Sequence, residues 1–100
     1  MTDDNVYIHK RCTEHTYWVL PEGHDKWHLY LVAARHEGRG WWSLRHNGFS
    51  LDQNGQRWVN GPGGRWAEAD VEVLAHRWAR ELKVGGLTAV DWLGIEAGKR

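Results

Sequence analysis

At 100 residues the chain has the ordinary size of a single domain and no room for a second. Thirteen basic and thirteen acidic side chains cancel, so no overall field draws it to nucleic acid or to an anionic membrane. The lone Cys12 makes no internal disulfide, residues 1–10 lack the apolar core of a secretory signal, and the nearly apolar run 29–34 is far short of the roughly 20 residues a membrane helix needs, so the cytoplasm is the expected compartment.

Eight tryptophans stand beside one phenylalanine. Two expectations follow. Trp replaces Phe as the large core filler, in a Gly-, Ala- and Arg-rich composition that suits a GC-rich genome. Alternatively, some rings stay half exposed because the indole N–H needs a partner.

In chain order, residues 6–8 and 16–20 read as short strands separated by a polar stretch. Cys12-x-x-His15 and His24-x-x-x-His28 have pair spacings close to those of structural zinc sites, although three His with one Cys is an unusual set. The segment His24-Asp-Lys-Trp-His28 also imitates the spacing of the zinc-protease pair. It lacks the Glu and the helical context that chemistry requires.

Residues 27–35 alternate as a strand, and a four-residue loop, 36–39, pairs Leu31 with Leu44 and Ala33 with Trp42. Asn47-Gly48 and Asn54-Gly55 are the strongest hairpin signals in the chain. As two-residue turns they put His46 opposite Phe49, Arg45 opposite Ser50, Leu44 opposite Leu51 and Leu51 opposite Trp58. The resulting core face carries Leu29, Leu31, Ala33, Trp42, Leu44, Phe49, Leu51 and Trp58. The other face carries His28, Tyr30, Val32, Trp41, Ser43, Arg45, Asp52, Arg57 and Val59, with Tyr30 opposite Arg45. Two states of that second face are open at this point: exposed to a partner, or covered by Tyr17, Trp18, Val19 and Leu20.

The Gly-Pro-Gly-Gly loop in residues 60–65 precedes a helix. It reads as a flexible connection and not as a phosphate-binding turn, because no Lys-Ser/Thr follows and Glu68 and Asp70 repel an anion. Over residues 67–83, Ala67, Val71, Leu74, Ala75, Trp78 and Leu82 form one apolar stripe, with Glu72, His76 and Arg80 on the solvent side. Gly85-Gly86 ends this helix. Thr88 and Asp91 then form a capping box for a short helix running to Gly94, and residues 96–100 are expected to fray.

The fold class expected is therefore α+β: an antiparallel meander of about four strands, open to extension by N-terminal strands, covered on one face by one amphipathic helix, with a short C-terminal helix. Ser43 and Ser50 lie mid-strand and Cys12 has only His15 near it in sequence, so no catalytic motif, and no cofactor, is expected. The favoured function is a non-enzymatic binding module of the bacterial or phage accessory type. Its Tyr30, Trp41, Arg45 and Arg57 face meets a protein or a second copy of the chain. One rival is single-stranded nucleic-acid binding by aromatic stacking, which the zero net charge weakens. Another is a zinc-stabilised domain using Cys12, His15, His24 and His28.

Overall fold

The fold is given by a computed structural model that describes residues 6–98. Residues 1–5 of the segment read as lacking a signal, and Lys99 and Arg100 of the tail expected to fray, lie outside the described residues. The chain folds as α+β. An antiparallel sheet is built from β1 (Tyr7–Lys10), β2 (Glu14–Trp18), β3 (Val32–Gly38), β4 (Trp41–His46), β5 (Phe49–Leu51), β6 (Trp58–Val59) and β7 (Trp66–Ala67). The first six lie side by side in chain order, and β7 pairs with the start of β4. The N-terminal third thus extends the expected meander by a hairpin. Helix α1 (Glu68–Glu81) covers one sheet face, and α2 (Ala89–Gly98) packs against α1. Among the described residues no helix is long and apolar enough to cross a membrane.

The Asn-Gly register is as expected. His46 faces Phe49, Arg45 faces Ser50 and Leu51 faces Trp58, with Asn47 and Gly48 both at positive φ as a tight hairpin turn demands. The β3–β4 register differs. The turn is not the four-residue loop 36–39 but Arg39-Gly40, with φ of 56° and 79°, and a bulge follows between His36 and Gly38. Gly38 therefore faces Trp41, His36 faces Trp42, Ala34 faces Leu44 and Ala33 faces Arg45.

Leu44 thus sits three residues from its expected partner. A slip by an odd number transfers every side chain of a strand to the other face. Val32 and Ala34, and not Leu31 and Ala33, join Trp42, Leu44 and Leu51 in the core. Phe49 shares the core side but stays exposed beside a cleft of about 340 Å³ formed with His46, Trp58, Leu82, Lys83 and Val84.

Residues 27–35 are not one strand either. Trp27–Tyr30 is a turn of 3-10 helix that swings Tyr30 into the core. Its hydroxyl donates to the Leu87 carbonyl at 2.7 Å and accepts the Trp92 indole N–H at 3.1 Å. Tyr30 thereby ties the sheet to the segment between the helices, where Gly85-Gly86 turns at positive φ and Val84 bridges Leu87. The Gly pair makes this turn instead of capping α1 directly, which ends where the Leu82 N–H bonds the Trp78 carbonyl.

The α1 stripe buries Val71, Ala75, Ala79 and Leu82, with Leu74 and Trp78 half buried. Glu68 and Asp70 in its first turn suit the positive end of the helix dipole. Trp78 donates its N–H to the Gly55 carbonyl at 3.2 Å and meets Trp58 edge to face, so α1 also clamps the Asn54-Gly55 turn. The capping box of α2 is complete: the Thr88 N–H bonds the Asp91 carboxylate at 2.8 Å and the Asp91 N–H bonds the Thr88 hydroxyl at 3.0 Å. α2 runs on past Gly94 to Gly98, because Glu96 holds His24 at 2.8 Å instead of fraying.

The glycine loop is pinned, not flexible. The Gly64 N–H bonds the Leu51 carbonyl at 2.8 Å, and the Gln53 side chain bonds both backbone groups of Arg65. A Cβ on Gly63 would lie 2.3 Å from the Leu51 carbonyl oxygen, so only glycine lets the loop pass this close to β5.

Tyr30→Phe removes one hydroxyl and leaves the Leu87 carbonyl and the Trp92 N–H without it. The expected cost is about 1 to 3 kcal/mol in urea unfolding. An unchanged midpoint would contradict the role given to this hydroxyl.

Candidate functional site

The sheet face away from α1 carries alternate residues of every long strand. One row across it runs His9, Thr16, Ala33, Arg45, Ser50 and Val59, and a second runs Glu14, Arg35 and Ser43. Trp18 and Tyr7 are paired at one end of this face, and Trp41 stands at the other, half exposed at 51 %. Among the described residues no α-helix packs here, although the glycine loop lies against Ser50, which is buried like Ser43. The N-terminal hairpin does not fold over it, since Tyr17, Val19 and Leu20 enter the main core and only Trp18 turns toward the open side.

Two features give this face shape and charge. The first is a concavity of about 410 Å³ whose lining includes Thr16, Trp18, Trp27 and Leu31, with His9, Arg11 and Glu22 also at its wall. Trp27 meets Trp18 edge to face at 5.9 Å, and Tyr7 stacks on Trp18 at 6.1 Å. The Trp27 N–H is buried without a protein partner, an unspent donor beside the concavity.

The second is a cluster around Glu37, the bulged residue of β3. The Ser43 hydroxyl donates to its carboxylate at 2.5 Å, while Arg45 and Arg65 approach it at 3.9 and 3.8 Å. The hydrogen bond from Ser43, then the charges of Arg65, Arg45 and Arg35, hold the Glu37 carboxyl below its ordinary 4.5. Glu37 gathers arginines that would otherwise repel one another, and the Arg45 and Arg65 side chains stay about two-fifths exposed beside it.

The four residues expected to form the binding face are only partly brought together. Trp41 and Arg45 lie on it. Tyr30 does not: it is buried in the core, and Ala33 takes its expected place opposite Arg45. Val32, also expected here, belongs to the core. Arg57 is exposed at the far hairpin, where its backbone N–H and that of Gln56 bond the Asp52 carboxylate at 3.2 and 2.9 Å. His28 is exposed on the 3-10 turn.

Sequence reasoning missed Trp18, Trp27, Arg35, Glu37 and Arg65. The alternation of Tyr7, His9 and of Thr16, Trp18 carried part of the signal. The bulge that turns Glu37 to this face had none that a period of two can show.

The expected zinc set is not assembled among the described residues. Cys12 is exposed in the β1–β2 turn, and His15 is buried with its ring 4.6 Å from that of Trp42. His24 has both nitrogens engaged. Nδ1 accepts the Lys26 N–H at 3.0 Å, which leaves Nε2 to donate to Glu96. Its grouping with Asp25 and Glu96 is therefore a structural tie between the 20s loop and α2.

Compared with known proteins, the chain matches no family model, no curated protein and no solved structure.

The Glu37 cluster carries a pH signature. A carboxyl with its folded pKa below the unfolded value stabilises fully above about 4.5, and that contribution is lost as pH falls through the folded value. Between neutral pH and about pH 3, the melting temperature of the wild type should fall further than that of Glu37→Gln. Parallel curves would show that Glu37 does not hold the cluster.

Proposed function

We propose that the protein is a non-enzymatic binding module whose open sheet face holds a segment of another protein. An apolar side chain of that segment enters the Trp18–Trp27 concavity, and its carboxylates meet Arg45 and Arg65. The observation that supports this is that an aromatic concavity and an arginine group ordered by Glu37 share one sheet face, with Thr16 of the concavity and Arg45 in one row across Ala33. Aromatic side chains and Arg are the residue types that supply most binding energy at protein interfaces. Trp41 at the edge adds an apolar platform that loses little entropy on contact.

Single-stranded nucleic acid fits this face less well. Of its aromatic rings, Tyr7 is already stacked on Trp18 and Trp27 is edge-on, which leaves Trp41 as the main free platform for a base. Glu14 sits directly opposite Arg35, and Glu37 is central to the arginines, so acidic groups interleave where phosphates would need to run. Interleaved charge suits a protein surface better than a polyanion.

The test is selection from a displayed random-peptide library, followed by affinity measurement of the enriched peptides. Peptides with an apolar anchor and acidic residues are expected, and Arg45→Ala and Trp41→Ala should each weaken them at least about tenfold, or roughly 1.4 kcal/mol. Peptides indifferent to both substitutions would defeat the proposal, as would oligo(dT) that binds more tightly than any peptide. Native mass spectrometry of the same sample separates self-association from binding to another protein.

A further inference from the structure

On the covered side of the sheet, at its β1–β2 edge, chemistry-bearing residues converge from two elements. His15 and Tyr17, two apart on β2, both point toward α1, and α1 presents Glu68, Glu72 and His76 at successive i, i+4 positions. One ligand atom each of His15, Glu68 and Glu72 lies within 4.8 Å of the others, with His15 Nε2 at 3.9 Å from Glu68 Oε2. Lys10 reaches in from β1, its ammonium 2.6 Å from Glu72 Oε1.

A second, independent observation points the same way. The Tyr17 side chain is fully buried and its hydroxyl has no protein partner, although burying an unpaired hydroxyl costs free energy. Tyr17 shares with His15 the side of β2 that meets α1, its ring lies edge-on to His76 at 5.5 Å, and the Glu72 and Glu68 charges, after burial, help push the phenol up to about 12. His15 Nδ1 is likewise buried and unpartnered.

We infer that His15, Glu68 and Glu72 form a binding site for a divalent cation of the Zn²⁺ class. One imidazole with two carboxylates is a donor set for a borderline cation, whereas Mg²⁺ and Ca²⁺ take oxygen ligands. Tetrahedral ligands at about 2.0 to 2.2 Å from zinc stand roughly 3.4 Å apart, so the existing spacing needs only a small closure. Glu68, more than half exposed, has the freedom to supply it. Three protein ligands leave a fourth position for water. Lys10 is the internal counter-ion that occupies Glu72 until a metal displaces it.

The experiment is calorimetric titration of Zn²⁺ into chelator-treated, desalted protein near neutral pH. One ion per chain is expected, with Mg²⁺ giving no heat of binding. Glu68→Gln and Glu72→Gln should each weaken Zn²⁺ at least tenfold. Lys10→Met should tighten it, because the competing ammonium is gone, and His24→Ala should leave it unchanged. Circular dichroism of each variant confirms that it is folded; Glu68→Gln alters only a largely exposed carboxylate. The inference fails if millimolar Zn²⁺ does not bind, if both Gln variants bind as the wild type does, or if His24→Ala abolishes binding.

Discussion

The β3–β4 hairpin is the constraint on which the rest of the structure depends. Arg39-Gly40 turns the chain in two residues and the bulge before Gly38 adds one more, so Ala34 meets Leu44 and Ala33 meets Arg45. From this follows which residues α1 can cover. Val32, Ala34, Trp42 and Leu44 form a continuous apolar surface under Val71, Ala75 and Ala79. Each large aliphatic group buried there contributes about 1.5 to 3 kcal/mol, so an odd-numbered slip would exchange several of these for Ala33, Arg35 and Leu31 and forfeit most of the core energy.

The same register places Ser43, Arg45 and Arg35 on the side without a helix, and the bulge delivers Glu37 among them. A bulge bends and twists its strand, and here it re-aims a carboxylate at the center of a cluster of like charges. Ser43 is almost wholly buried, yet it costs little because its hydroxyl is spent on Glu37. The polar side of the sheet is thus built as deliberately as the apolar one.

Much of the architecture was legible from pattern alone. The two Asn-Gly turns announced their own register, the 3.6-residue stripe announced α1, and Thr88 with Asp91 announced the start of α2. What escaped was the Arg39-Gly40 turn, because an arginine at positive φ has no propensity signal. Residues 27–35 alternate convincingly, but Trp27 to Tyr30 coil into a 3-10 turn because Tyr30 finds partners for its hydroxyl far along the chain, at Leu87 and Trp92. Those long-range bonds have no local trace. Of the four residues expected to share a face, the register keeps Trp41 and Arg45 on the side away from α1, whereas the 3-10 turn takes Tyr30 into the core.

Tryptophan richness resolves into both of its expected uses. Trp18 and Trp42 are buried, Trp41 is exposed, and Trp27, Trp58, Trp66, Trp78 and Trp92 are intermediate. Trp78 and Trp92 show why the intermediate class is large. Each ring packs on the core while its N–H reaches an acceptor, the Gly55 carbonyl or the Tyr30 hydroxyl, which a phenylalanine could not do. The β1–β2 hairpin applies the same economy to whole strands. His9, Thr16 and Trp18 serve the open face, while Lys10, His15 and Tyr17 serve the side under α1. An edge hairpin with both faces in use cannot slip by one residue without dismantling the aromatic concavity and the His15–Glu68–Glu72 cluster together, so the two surfaces hold one another in register.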